Sequence, residues 1–408
     1  MTGEQSSRQD ADSHDTAGHA PPIIDGHNDT LLRCTDPDRL AETAGEGVTA
    51  DESFLDGVVA EEPDGDQDGA VADADHDGGH LDLPRAREAG LSAGLFAAFV
   101  LNDRDPEAPA DDVEYAAGDL PPAVGQPVSE RVVLEQFAAL HRWDRASDAF
   151  RVVETVDHLD ACLEGEVLGA IPHVEGAAGI RTDLANLDLW YAAGLRSVGL
   201  VWSRPNDFAH GVPFTHDADP DIGPGLTDAG KELVSACNDR GIVVDCAHLN
   251  AAGVDDVLTI TDDPPVISHT CAHGICPNAR NVTDEQLRRI GERNGLVGLS
   301  LSAAFLHPKG GNPEGDDEGD DENGGHDPVA DVDLDLIVDH LDRFVEHAGV
   351  ESVALGSDFD GATLPDCIGD VTDLRRILDG LRDRGYAEED VERIASRNWR
   401  RVLAETWE

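Results

Sequence analysis

Lysine is nearly missing from this chain of 408 residues, which holds only Lys231 and Lys309. Lys plus Arg number 29 against 85 acids, for a net charge of −56. Such a polyanion has no basic patch with which to release counterions from nucleic acid. It is equally unsuited to an anionic membrane surface. Long apolar runs are scarce as well. The longest, from Ala89 to Leu101, has about 13 residues, too few to span a bilayer. Residues 1–20 are polar and acidic and lack the apolar segment of a secretory signal. The seven cysteines are odd in number and show no C-x-x-C spacing. Reduced thiols fit that pattern better than a disulfide framework. The expectation is a soluble, cytoplasmic protein with no nucleic-acid or membrane partner. Aromatics are 4% of the chain, yet a chain this long still buries a full core.

The acids, mostly aspartate, are spread over nearly every segment. Their self-repulsion destabilises a compact state at low salt. Molar salt shortens the Debye length to about 3 Å and removes most of that penalty. A halophilic cytoplasm is the reading this composition favours. Three Asp/Gly-rich stretches carry too little apolar surface to offset ordering entropy. They are an acidic tail at 1–20 and surface insertions near 48–80 and 308–331. The rest, 21–408, reads as one domain carrying those insertions.

Between these stretches eight apolar, partly β-branched runs alternate with helical patterns. The runs lie at 21–29, 94–101, 167–176, 195–203, 241–248, 264–270, 295–302 and 352–361. Helices are predicted over 227–240, over 283–293 with a TDEQ capping box, over 331–348, and near 372–384 and 387–405. Alternation of this kind implies a parallel sheet, and strands apolar on both faces imply burial on both faces. The predicted fold is α/β, a (β/α)8 TIM barrel with acidic surface insertions. A doubly wound open sheet is the alternative, but no Gly-rich dinucleotide fingerprint follows an early strand.

In such a barrel, chemistry sits where the strands end. Strand one ends in His27 and Asp29, two apart and so on one face. Later strands end in Glu175, His248, His269 and Asp358, with Asp360 two residues further on. Imidazoles and carboxylates together suit zinc, and also manganese or cobalt. Two ions need a shared ligand, and both lysines lie off the strand ends, which excludes a carbamylated-lysine bridge. A carboxylate must bridge, and Glu175 is the natural choice. Paired ions would share a water, lower its pKa and present hydroxide to a carbonyl.

The segments PPIIDGHNDT, HVEGAAGI, VVDCAH, PVISHT, NARNV and GSDFDG together resemble the membrane dipeptidase (renal dipeptidase) family of metallo-barrels. The resemblance implies a dinuclear zinc peptidase acting on dipeptides or similar small molecules, with two Zn2+ per chain. It implies that His27 and Asp29 bind one zinc, that His248 and His269 bind the other, and that Glu175 bridges. By the same resemblance Asp358 is the catalytic acid/base, and Arg280 binds the terminal carboxylate of the substrate. Family members often form homodimers. The lipid anchoring of mammalian relatives is not expected here. One departure stands out. The mammalian pattern has a substrate-contacting histidine at the end of strand four, where this chain has Trp202. An indole offers one N–H donor and no acceptor, so Trp202 is a candidate substrate contact through that N–H, polarising a carbonyl, and Asn206 or His210 nearby is the candidate replacement for the histidine. His173, Trp143, His14 and His19 are assigned to structure or solvent, and His80 to solvent. An amidase, lactonase or deaminase on the same barrel, and a metal-binding protein without activity, are the competing functions.

Overall fold

The computed structural model describes residues 20–35, 49–57, 79–101, 123–309 and 332–407. The acidic tail, apart from Ala20, and the interiors of both insertions lie outside these residues. Among the described residues there are nine parallel strands: β1 Ile23–Asn28, β2 Leu91–Phe99, β3 Phe150–Val152, β4 Leu168–Glu175, β5 Ser197–Gly199, β6 Val243–Asp245, β7 Val266–Thr270, β8 Leu296–Leu299 and β9 Val353–Leu355. Pairing runs β2-β1-β9-β8-β7-β6-β5-β4, and a β2–β4 ladder from Ala93↔Gly169 to Phe99↔Glu175 closes the cylinder. The eight predicted runs are these eight barrel strands. β3 is an addition, a short ribbon paired with the entrance of β4.

Several predicted strands are shorter than their apolar runs. The run at 195–203 is ladder over Ser197–Gly199, and the run at 352–361 over Val353–Leu355. In both, the chain leaves the ladder at the barrel mouth. His248 (φ 64°) and Asp358 (φ 67°) exit through left-handed backbone, a conformation usually held at functional turns.

The helices begin where the caps predict. Thr227 accepts from Gly230 N, and Thr283 and Gln286 form a reciprocal capping box. One expectation needs correction. The start of the insertion near 48–80 is not loosely ordered: Ala50–Asp56 is a helix, closed by a Thr49/Glu52 capping box. Its Phe54 is fully buried and stacks on Trp143, with ring centroids 4.0 Å apart. One aromatic anchor and one cap suffice where composition alone suggested too little apolar surface.

β7 shifts register between Ile267 and Thr270, and its Ser268 carbonyl crowds three neighbouring strands. Gly26, Gly298 and Gly356 surround that oxygen, and a Cβ on any of them would overlap it. These glycines let β7 bulge and carry His269 forward. Gly298→Ala is expected to cost at least about 1–3 kcal/mol through overpacking. Urea unfolding at fixed pH measures it, and an unchanged midpoint would contradict the crowding.

Candidate metal centre

Five strand ends deliver six side chains to a common point, two of them from β1. Glu175 Oε1 lies 3.0 Å from His248 Nε2, 3.6 Å from His269 Nε2 and 3.7 Å from His27 Nε2. Asp29 Oδ2 is 3.7 Å from the same His27 nitrogen. Three overlapping donor sets result: His27–Asp29–Glu175, Glu175–His248–His269 and His27–His269–Asp358. All six residues are buried, none more than 8% exposed. The structure thus brings together the five predicted metal ligands and Asp358.

The electrostatics of this cluster fit a cationic guest. Three carboxylates share one buried pocket. Burial raises Glu175 well above the ordinary carboxylate range, and it also raises Asp358. Burial pulls the His27 imidazole down, but Glu175, Asp29 and Asp358 outweigh it and lift it to about 10. Nearby negative charge here calls for a positive one. His248 and His269 are held far below their usual values by burial, with Arg280 and His27 adding to the shift. Both are therefore neutral at pH 7 and keep a lone pair for a metal. Both nitrogens of His27, Asp29 Oδ1 and Glu175 Oε2 are buried without a hydrogen-bond partner. Unpaired buried polar atoms at this density are costly, and metal ligation would satisfy them.

Arg280 is 4% exposed and lies against the cluster. Its Nε faces His248 Nδ1 at 3.1 Å, and its Nη2 donates to the His269 carbonyl at 3.0 Å. Its loop is pinned by His340 of the helix Leu334–Ala348, whose Nδ1 accepts from Ala272 N at 2.9 Å. Trp202 packs on Phe99 and Phe214, with centroids 4.9 and 5.6 Å away, and its ring lies 6.0 Å from His248. The Arg204 guanidinium sits 4.7 Å above that indole while Nη2 donates to the Val100 and Leu101 carbonyls. Asn206 lines the same pocket beside Glu175, together with Phe99, Val100 and Trp202. Its amide, however, holds its own loop: Nδ2 donates to Leu200 O, and Oδ1 accepts from Phe208 N and Ala209 N.

Two sequence readings change. Asp360 is not in the donor sets among the described residues. It pairs with buried Arg33, Nη2 to Oδ2 at 2.6 Å, and accepts from Thr30 Oγ1 and His80 N. His80 is not simply solvated, because its Nδ1 accepts from Asp360 N at 2.9 Å. The left-handed turn at Asp360 (φ 63°) directs this acid away from the cluster and onto the Arg33 guanidinium. His173 is fully buried, with Nδ1 2.9 Å from Ser197 Oγ, as a structural residue would be.

Comparison with known proteins gives the family. The family model for membrane dipeptidase, peptidase family M19, matches residues 17–408. The chain belongs to the membrane dipeptidase family. A metallopeptidase from Rhodobacter sphaeroides, solved with a phosphinate mimic of the dipeptide L-Ala-D-Ala, superposes with a TM-score of 0.78 at 35% identity. That match covers 95% of this chain and all of the other. An uncharacterised Klebsiella pneumoniae protein of the pqqA 5′ region is 35% identical over 285 residues, 70% of this chain and 98% of its own. The dipeptidase aclJ of Aspergillus oryzae is 28% identical over 338 residues, 81% of this chain and 71% of its own. The chain is thus an enzyme of a metallodipeptidase family. Among the described residues no helix is long and apolar enough to cross a membrane.

Sequence reasoning missed the groups behind the cluster: Ser203, whose Oγ lies 2.9 Å from His248 Nδ1, and the hydrogen-bonded pairs Asp245–Ser268 and Asp25–Ser357. Four of them stand inside the quoted motifs: Asp25 in PPIIDGHNDT, Asp245 in VVDCAH, Ser268 in PVISHT and Ser357 in GSDFDG. Their nearness to a ligand in sequence was the available signal. The His340 clasp on the Arg280 loop generates a prediction. Burial holds His340 down to about 4, below its ordinary value of about 6.5. The unfolded chain then binds the extra proton between those values. His340's contribution is complete above pH 6.5 and is lost as pH falls toward 4, by up to about 3 kcal/mol. Urea titrations at stepped pH should show His340→Gln with a shallower acid loss than the native chain. Parallel curves would contradict the assignment.

Proposed function

We infer that this enzyme hydrolyses the peptide bond of dipeptides using two zinc ions, one at His27 and Asp29, the other at His248 and His269, with Glu175 shared. The observation that carries this is Glu175 Oε1 within 3.0–3.7 Å of three imidazole nitrogens, with Oε2 unpartnered. When bound, two such ions polarise a carbonyl and acidify a water. The other tasks fall to the chain's own groups. Asp358 receives the proton of the attacking water and delivers it to the departing amine. Its carboxyl is raised by burial and steadied by Ser300 Oγ at 3.3 Å. Arg280 meets the substrate's terminal carboxylate, because a guanidinium fork matches that group. Anchoring that end beside the cluster limits the substrate to short peptides. Trp202 and Phe99 supply an apolar wall, and Asn206 shapes it by fixing the loop after β5. The dipeptide mimic held by the Rhodobacter sphaeroides relative supports this substrate class.

The same cluster on an amidase or lactonase would need no carboxylate anchor. Arg280→Met separates the two readings. It is expected to lower kcat/KM on dipeptides roughly 10–100-fold, the worth of a charge-assisted hydrogen bond. Hydrolysis of an uncharged lactone unaffected by the change, with dipeptides also unaffected, would overturn the dipeptidase reading. Asp358→Ala is expected to lower turnover by about 10²–10⁴ while elemental analysis still finds both metals. Loss of metal in that variant would contradict the role given to Asp358.

We also propose that the enzyme works in the salt-rich cytoplasm of a halophile. The net charge of −56 and seven free cysteines, five of them buried, support this. Raising potassium chloride from 0.1 M to molar shortens the Debye length from about 10 to about 3 Å. The melting temperature should climb steeply over that range. A flat or falling curve in differential scanning calorimetry would contradict the proposal.

A further inference from the structure

Two buried aspartates outside the three donor sets share one pattern. Asp245, at the end of β6, accepts Ser268 N on Oδ1 at 2.8 Å and Ser268 Oγ on Oδ2 at 2.5 Å. Asp25, in β1, accepts Ser357 N on Oδ1 at 2.7 Å and Ser357 Oγ on Oδ2 at 2.8 Å. Each serine immediately precedes a residue of the centre, His269 in one case and Asp358 in the other. The four partners are at most 1% exposed.

Both clamps sit where the barrel ladder is thinnest. The β6–β7 seam registers the single pair Asp245↔Val266, and the β1–β9 seam one ladder pair, Asp25↔Leu355, with an isolated bridge Asn28↔Phe359 beyond it. The neighbouring seams β5–β6, β7–β8 and β8–β9 register three pairs each. At the two thin seams a carboxylate takes the backbone N–H that a ladder carbonyl would otherwise accept.

We propose that Asp245 and Asp25 are positioning residues, Asp245 orienting the metal ligand His269 and Asp25 the proton carrier Asp358. This rests on the roles given to His269 and Asp358 above. The proton bookkeeping at Asp245 is one-directional. Both Asp245 oxygens accept from Ser268, which thereby spends its single O–H on the carboxylate. The Ser268 oxygen, 2.8 Å from His269 Nδ1, then receives the Nδ1–H. His269 is thereby fixed with Nε2 bare and aimed at Glu175. Outer partners of this kind set the tautomer and basicity of a metal-ligating imidazole.

The second clamp acts on backbone instead. Ser357 donates to Asp25 and accepts from Phe359 N at 3.2 Å, closing a turn over Asp358. Asp358 N donates to the His27 carbonyl at 3.0 Å, and Ser357 Oγ lies 3.1 Å from that same carbonyl. The left-handed turn holding Asp358 is therefore tied to the strand that carries His27. The two clamps should fail differently.

The test uses the full-length enzyme with Asp245→Asn, Ser268→Ala, Asp25→Asn and Ser357→Ala. In Asp245→Asn the new amide donates to Ser268, whose O–H turns toward His269 and disfavours the ligating tautomer. Chelator competition should show the weaker zinc site of Asp245→Asn and Ser268→Ala loosened about 10–100-fold. Asp25→Asn and Ser357→Ala should hold zinc as the native enzyme does and lose at least about tenfold in kcat at unchanged KM. Native zinc affinity in Asp245→Asn, or equal loss of zinc in the Asp25 variants, would overturn the proposal. The serine variants keep the backbone N–H bonds, so they decide the matter if an aspartate variant fails to fold. Absence of zinc from the native enzyme would sink the functional reading itself. Bound zinc with native-like variants would sink the clamps alone.

Discussion

A buried excess of negative charge is the constraint on which the rest of this structure depends. Glu175, Asp29 and Asp358 converge at the barrel mouth with three imidazoles, two of which stay neutral. His27 and Arg280 offset part of that charge, and cations held by these donors would offset the rest. The surrounding architecture supplies the restraint. Parallel strands closed by the β2–β4 ladder fix the strand ends, and the ends fix the side chains.

Closure is uneven, and the unevenness falls near the chemistry. β7 bulges so that His269 reaches the cluster, and Gly26, Gly298 and Gly356 make room for the displaced Ser268 carbonyl. His248 and Asp358 leave their strands through left-handed turns. Regular pairing is surrendered at two seams, and buried aspartates take over the abandoned N–H groups. The barrel is thus most regular along β2 and β4 and least regular where ligands must be aimed.

The barrel was legible because its strands are buried on both faces and so read as short apolar runs. The six residues of the cluster were legible because each sits at the end of such a run. What escaped reading has physical reasons. Phe150–Val152 is three residues long, too short to carry a period. The helix at Ala50–Asp56 hides inside acidic sequence, and Phe54 gives little sign of its Trp143 partner 89 positions away in the chain. Asp360 has the chemistry of a ligand, and only its left-handed turn and Arg33 remove it from the centre. Asp25 and Asp245 were in plain view inside recognisable motifs. Their partners lie on other strands, and nothing in a linear motif shows what a carboxylate touches across a seam.

The central claim is that Glu175 holds two cations at once. Anomalous diffraction at the zinc edge, on crystals grown with zinc, tests it most directly. The account predicts two peaks about 3.5–4 Å apart, flanking the Glu175 carboxylate, one against His27 and Asp29 and the other against His248 and His269. A lone peak, or a pair with the Glu175 side chain turned away from either, would contradict it.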